Sequence, residues 1–217
     1  MQQFKFTEPP SVALDIETLS TRSDAAIISI AAKVFTFTDN PEIANTKDFT
    51  FNCLVNASSC AMYGMHFDME TVRWWQERMN DAKLPYTSLT GQDVPITKAL
   101  GDFYIFVNQI RAMSPSGRIL VWCQGTDFDI AILKTAFQNV FGYSEPWHRH
   151  ELRDSRTFIH SVLGVLYPNV DDPYSLIPKD PGWVPHLPLS DVNHLIWNVT
   201  HVYQMLRDVL NRNNLCK

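Results

Sequence analysis

Three stretches of the chain set acidic and imidazole side chains at spacings that could do chemistry together. In 11–17, Val12, Leu14 and Ile16 alternate with Ala13, Asp15 and Glu17. Successive strand side chains point to opposite faces, so both carboxylates converge on the same side. Adjacent carboxylates repel, and a shared proton or a bound cation relieves the repulsion. Hard divalent ions take oxygen ligands, and Mg²⁺ is commonly held by a few carboxylates plus substrate phosphate. The second stretch, 125–130, carries Asp127 and Asp129 where a predicted strand gives way to a helix. Either could serve, and an Asp here is also a natural helix cap, the role that suits Asp127. In the third, His186 precedes Asp191 by five residues, one on a loop and the other on the first turn of the last helix. A histidine with a near-neutral pKa can take a proton from an attacking water. His194 and His201 lie within the helix and read as surface or core residues. Ser190 or Asp191 could alternatively be the helix cap.

The elements that must position these groups follow from periodicity. Strands are expected at 11–17, 27–37 and 49–55, an antiparallel meander with a turn at Asp39, Asn40 and Pro41. Asp68 has the character of an N-cap for a helix through Met79 carrying Val72, Trp75 and Met79 on one face. A loop over 84–94 leads to a helix over 96–113, where Leu100, Phe103, Val107 and Ile110 recur. The break at 114–117 precedes a buried strand over 118–124 and a helix over 128–141 stopped by Gly142. A short fifth strand at 151–154 leads into a helix from Arg156. The Pro- and Asp-rich segment 167–185 reads as a loop. The last helix starts near Ser190, with Val192, Leu195, Ile196, Val199, Val202 and Leu206 in its stripe. This order implies an α/β protein: a mixed sheet with helices on both faces, in one domain over 1–217 with its core at 11–210.

Composition sets the bounds. A 45% hydrophobic share in 217 residues supports a globular core. The net charge of −5 gives no global field for recruiting nucleic acid, but suits an acidic site that works with cations. No C-x-x-C pair occurs among Cys53, Cys60, Cys123 and Cys216, which argues against structural zinc, and no H-x-x-x-H pair supports a zinc hydrolase. No apolar signal core or membrane-length run is present, so a cytoplasmic protein without a membrane partner is expected.

Taken together, the strand D-x-E, the distal Asp opening a helix and the H-x4-D near the C-terminus resemble the DEDDh 3′–5′ exonucleases of the ribonuclease H-like fold. The segment 121–133, Val-Trp-Cys-Gln-Gly-Thr-Asp-Phe-Asp-Ile-Ala-Ile-Leu, is similar to one in the phage exonuclease A and exonuclease VIII-like branch. Arg153 to Thr157, with Pro146 and Trp147 before it, and Thr71 to Trp75 resemble two further segments of that branch. The likeness runs from about Val12 to about Val202. Cys123, Gln124 and Pro188 depart from its pattern, and 167–185 has no counterpart.

This resemblance implies a ribonuclease H-like fold and selects Asp129 over Asp127. It implies that Asp15, Glu17, Asp129 and Asp191 hold two Mg²⁺ or Mn²⁺ ions, with Asp15 bridging and His186 as general base. The implied partner is a nucleic acid with a free 3′ end, DNA before RNA, in the host cytoplasm if the chain is phage-encoded. The implied reaction releases nucleoside 5′-monophosphates. A 3′–5′ exoribonuclease with the same site is the alternative, and a nucleic-acid-binding module that lost activity is a further one, against which all five positions stand. Thr18 and Leu19 follow the D-x-E motif where the family contacts the terminal nucleotide. Trp74, Trp122, Phe128 and Trp147 are candidates to stack bases, with core packing expected for Trp122. His148, Arg149, His150, Arg153 and Arg156 form a local basic group that could meet phosphates.

Overall fold

The computed structural model describes residues 6–37, 49–78 and 94–212. The expected turn at Asp39, the end of the second helix at Met79, most of the 84–94 loop and Cys216 lie outside them. β1 (Ser11–Thr18), β2 (Ile27–Phe35) and β3 (Thr50–Leu54) form the antiparallel meander. β4 (Leu120–Cys123) and β5 (Leu152–Asp154) add to the other edge of β1 in parallel. The sheet order is β3-β2-β1-β4-β5, so β1 is central. The helices are α1 (Ala57–Ala61), α2 (Met69–Arg78), α3 (Ile96–Met113), α4 (Ala131–Phe141), α5 (Ser155–Leu166) and α6 (Pro188–Arg212).

The alternation of β1 is used on both faces. Val12, Leu14 and Ile16 enter the main core with Leu100, Phe103, Val107, Leu133 and Phe137. Ala13 and Ala31 pack on the opposite face with Trp122, under Val192, Leu195 and Val199 of α6. Small residues there let α6 lie close over β1 and β2, which brings its first turn to the carboxylate end of β1.

Several boundaries carry a physical lesson. Asp68 caps α2 as expected, its Oδ1 accepting from Thr71 N at 2.8 Å. Gly142 ends α4 in the left-handed region at φ 70°. The helix expected from Phe128 instead opens with one π-type turn, Thr126–Ile130. Such wide turns concentrate at functional sites. Asp127 caps nothing, which corrects the expectation: neither that turn nor α4 has a side-chain cap. α6 begins at Pro188 rather than near Ser190. Proline suits a first helical position, where its missing N–H would have had no partner and its φ is already helical. α1 was not foreseen, since a single turn capped by Asn56 carries no periodicity.

The far side of the sheet is braced by a buried ion pair. Arg111 on α3 donates from Nη1 and Nη2 to both oxygens of Glu151, at 2.7 and 2.8 Å. Glu151 also accepts from His148 N and Ile119 N. This saturation of acceptors makes a charge tolerable in a buried position. Among the described residues no helix is long and apolar enough to cross a membrane.

Candidate active site

Four elements converge at the carboxyl ends of β1 and β4. β1 supplies Asp15 and Glu17, and its register against β2 slips between Glu17 and Thr18. Such bulges re-aim side chains beside functional sites. The first turn of α6 supplies Asp191. Carboxylate oxygens of Asp15, Glu17 and Asp191 all lie within 4.8 Å of one another. The π-type turn supplies Asp129, which is 4% exposed and accepts a hydrogen bond from Ile16 N at 3.3 Å. That bond spans 113 residues and sets Asp129 against β1 between the two strand carboxylates. Asp127 is exposed.

His186 reaches the cluster from the loop before α6, with Nδ1 3.5 Å from Glu17 Oε1. Its φ is 63°, and no other non-glycine among the described residues has a positive φ. Held αL conformations of this kind cost about 1–3 kcal/mol and gather at functional sites. The ring stands edge-on to Trp74 and Trp75, with centroids at 4.8 and 5.9 Å. Trp75 is itself anchored through Nε1 to Thr18 O at 2.9 Å.

The electrostatics are those of crowded, desolvated carboxylates. Burial raises Asp15 well above the usual range, and Asp129, Glu17 and Asp191 push it further. Burial pushes Asp129 up to about 7. Burial also raises Glu17, opposed by its hydrogen bond to His186, and that bond raises His186 in turn. Asp191 is raised by burial, and its Oδ2 is buried with no hydrogen-bond partner. A divalent cation fits this donor set: it supplies the missing positive charge and takes hard oxygen ligands.

Two hollows flank the cluster. A cleft of about 640 Å³ holds Asp15, Glu17, Asp129, His186 and Asp191, with Arg156, Tyr174 and Trp183 on its walls. A second of about 380 Å³ adjoins it, lined by Thr18, Trp74, Phe128 and His186. Phe128 and His186 border both.

The remaining candidates divide sharply. Thr18 and Trp74 line the second hollow, although Thr18 donates its hydroxyl to Ser20 O and Trp74 carries the Arg78 guanidinium 3.5 Å above its ring. Leu19 does not reach either hollow, a correction to the expectation. Its side chain is in the main core, its N–H bonds Ala26 O and its carbonyl accepts from Asp68 N. Trp122 and Trp147 are both 4% exposed and belong to the core, so Trp147 is not a stacking platform. The basic group is split. Arg156 borders the cleft, whereas His148, Arg149 and His150 line a separate hollow beside Arg111 and Trp147. Trp183 is on the site and carried no signal in the sequence. Its indole Nε1 donates to Asp191 Oδ1 at 2.8 Å from the loop that had no counterpart in the resemblance.

Comparison with known proteins places this geometry in context. The chain superimposes on cell-death related nuclease 4 with a TM-score of 0.58 at 12% identity, covering 93% of this chain and 64% of that one. It superimposes on SSB/exonuclease I in complex with the inhibitor CFAM with a TM-score of 0.60 at 12% identity, covering 95% of this chain and 44% of that one. The zinc-bound E. coli exonuclease I complex with single-stranded DNA gives 0.57 at 11% identity, covering 95% and 43%. The chain therefore spans less than two thirds of each of these proteins, and at such identities the likeness establishes a shared fold, the five-stranded mixed sheet flanked by helices. No curated protein matches in sequence. The model of the Rv2179c-like 3′–5′ exoribonuclease domain matches residues 10–203, from the start of β1 through most of α6, and this chain belongs to that family.

Proposed function

We propose that the protein is a divalent-metal-dependent 3′–5′ exonuclease that removes nucleoside 5′-monophosphates from a single-stranded end. The observation that carries this reading is the convergence of Asp15, Glu17 and Asp191 oxygens within 4.8 Å beside buried Asp129 and His186. Asp15, Glu17, Asp129 and Asp191 are the residues that would hold two Mg²⁺ or Mn²⁺ ions. Bound there, such ions supply Lewis-acid stabilisation of charge developing on the phosphoryl group.

The chain's own residues do the rest. With Nδ1–H directed at Glu17, neutral His186 keeps Nε2 as the acceptor for the proton of an attacking water. Glu17 thereby holds the imidazole tautomer as well as serving the carboxylate cluster. The hollow between Trp74 and Phe128 is sized and lined for the terminal nucleoside, whose base stacks without sequence readout. Arg156 on the cleft wall meets a backbone phosphate.

RNA is the favoured substrate. The family description names an exoribonuclease and its match covers residues 10–203. The case for DNA rests on the resemblance of 121–133, of Arg153 to Thr157 with Pro146 and Trp147, and of Thr71 to Trp75 to the phage exonuclease A and exonuclease VIII-like branch, and on the exonuclease I complex with single-stranded DNA. Matched 5′-labelled RNA and DNA oligomers, resolved on gels with Mg²⁺, Mn²⁺ or EDTA, test polarity, sugar and metal need together. Asp15→Asn should keep its fold and lose about 10³-fold in rate, several kcal/mol of barrier at about 1.4 kcal/mol per decade. Shortening that persists in EDTA, or in folded Asp15→Asn at the parent rate, overturns the proposal.

A further inference from the structure

Trp183 lies between α5 and α6, is 44% exposed, and still spends its one polar atom on a partly buried carboxylate. An exposed indole N–H could be satisfied by water, so a protein partner here implies that the surrounding strap holds the ring in place. The contacts bear this out. The Trp183 ring lies flat on His194, with centroids 4.1 Å apart and planes at 11°. His194 Nδ1 faces Asp180 Oδ2 at 3.4 Å, and Asp180 Oδ1 accepts from Gly182 N at 2.9 Å. Just beyond, Val184 N donates to Ser190 Oγ at 2.7 Å. Upstream, Trp197 Nε1 donates to Pro178 O at 2.8 Å. The strap is pinned to α6 on both sides of the tryptophan.

The two oxygens of Asp191 are consequently unlike. Oδ1 takes the indole, and Oδ2 is buried with no hydrogen-bond partner. One Asp191 oxygen belongs to the cluster with Asp15 and Glu17, and of the two Oδ2 is the one without a hydrogen-bond partner. We propose that Trp183 is a positioning residue: its N–H fixes the Asp191 carboxylate so that Oδ2 is presented to the divalent cation before the cation arrives. The inference rests on the metal-dependent reading above. Without the indole N–H, the carboxylate keeps only its contact with the His186 backbone N–H, and the cation must supply more of its ordering on binding. Partners that orient a metal ligand through its other atom are typically worth 10–100-fold in metal affinity. The opposite arrangement is a latch, in which the indole competes with the cation for Asp191 and must leave before it binds.

Calorimetric titration of the metal-free full chain with Mn²⁺ separates these. Two replacements remove the N–H and keep the stacked ring: Trp183→Phe, and substitution of Trp183 by benzothienylalanine, in which sulfur replaces the N–H. Both should weaken Mn²⁺ binding about 10–100-fold. The benzothienylalanine protein, which keeps the size of the ring, should keep the fold of the metal-free parent, and raising Mn²⁺ should restore the turnover of both. A merely structural ring would not give a defect that metal concentration repairs. Unchanged affinity in the benzothienylalanine protein overturns the proposal, and tighter binding overturns it in favour of the latch. Loss of measurable Mn²⁺ binding by the parent itself would refute the metal-dependent reading instead, a result distinct from an unchanged ratio between parent and variant.

Discussion

Asp129→Asn should make the metal-free protein more stable while destroying its activity. Asp129 is 4% exposed, and burial pushes its carboxyl from an ordinary 3.8 up to about 7. A group whose pKa is higher in the folded than in the unfolded state favours folding most fully below the unfolded value. That contribution is lost as pH rises through the folded value. Stability of the metal-free chain should therefore fall between about pH 4 and pH 7 and stay low above. The rise from 3.8 to about 7 corresponds to at most ~4 kcal/mol at ~1.4 kcal/mol per pH unit. Asp129 and Asp15 repel each other, so the pair can share one proton, and a realistic share for Asp129 is ~1–3 kcal/mol. Asparagine keeps the Oδ1 that accepts from Ile16 N and cannot ionise. Urea denaturation at pH 8 with chelator should give the variant a higher midpoint by about 0.3–1 M, for a slope of about 3 kcal/mol/M. The gap should close at pH 4. Saturating Mn²⁺ should reverse the order, because the parent gains ~2.7 kcal/mol at a hundred times its Kd and the variant gains less. Equal midpoints at pH 8, or a gap that is the same at pH 4, would refute the argument from burial.

His186 and the Arg111–Glu151 pair yield two more tests. His186→Ala and His186→Gly should each lower kcat by about 10²–10⁴-fold with Mn²⁺ affinity largely kept; since φ is 63° there, the Gly variant should be the more stable of the two by about 1 kcal/mol in chemical denaturation. Arg111→Met strands Glu151, which is 2% exposed and held down to about 2 with the help of that guanidinium. It should cost about 3–5 kcal/mol and lower the melting temperature by roughly 10 °C, and Arg111→Met with Glu151→Gln should recover part of it.

What the sequence alone determined is the local part of this protein. A period of two puts Asp15 and Glu17 on one face of β1. A period near 3.6 marks α3 and α6, Asp68 marks the start of α2, and Gly142 marks the end of α4. These need only neighbours in the chain, so they are legible without knowing what packs against what. The choice between Asp127 and Asp129 was not legible in this way. Resemblance pointed to Asp129, and the physical reason appears only in three dimensions: a π-type turn rotates it under Ile16, 113 residues away in sequence. The same holds for Leu19, which follows the motif yet belongs to the core, and for Trp147, an aromatic whose burial is set by α3 and α4. Trp183 is the clearest case. Nothing in a Pro- and Asp-rich loop marks one indole as the partner of Asp191. That contact exists because α6 crosses β1 and β2 on the small side chains Ala13 and Ala31, bringing its first turn, and the strap pinned to it, over the carboxylates. Long-range packing decides which polar atoms are buried together, and at this site it is what brings the oxygens of Asp15, Glu17 and Asp191 within 4.8 Å of one another.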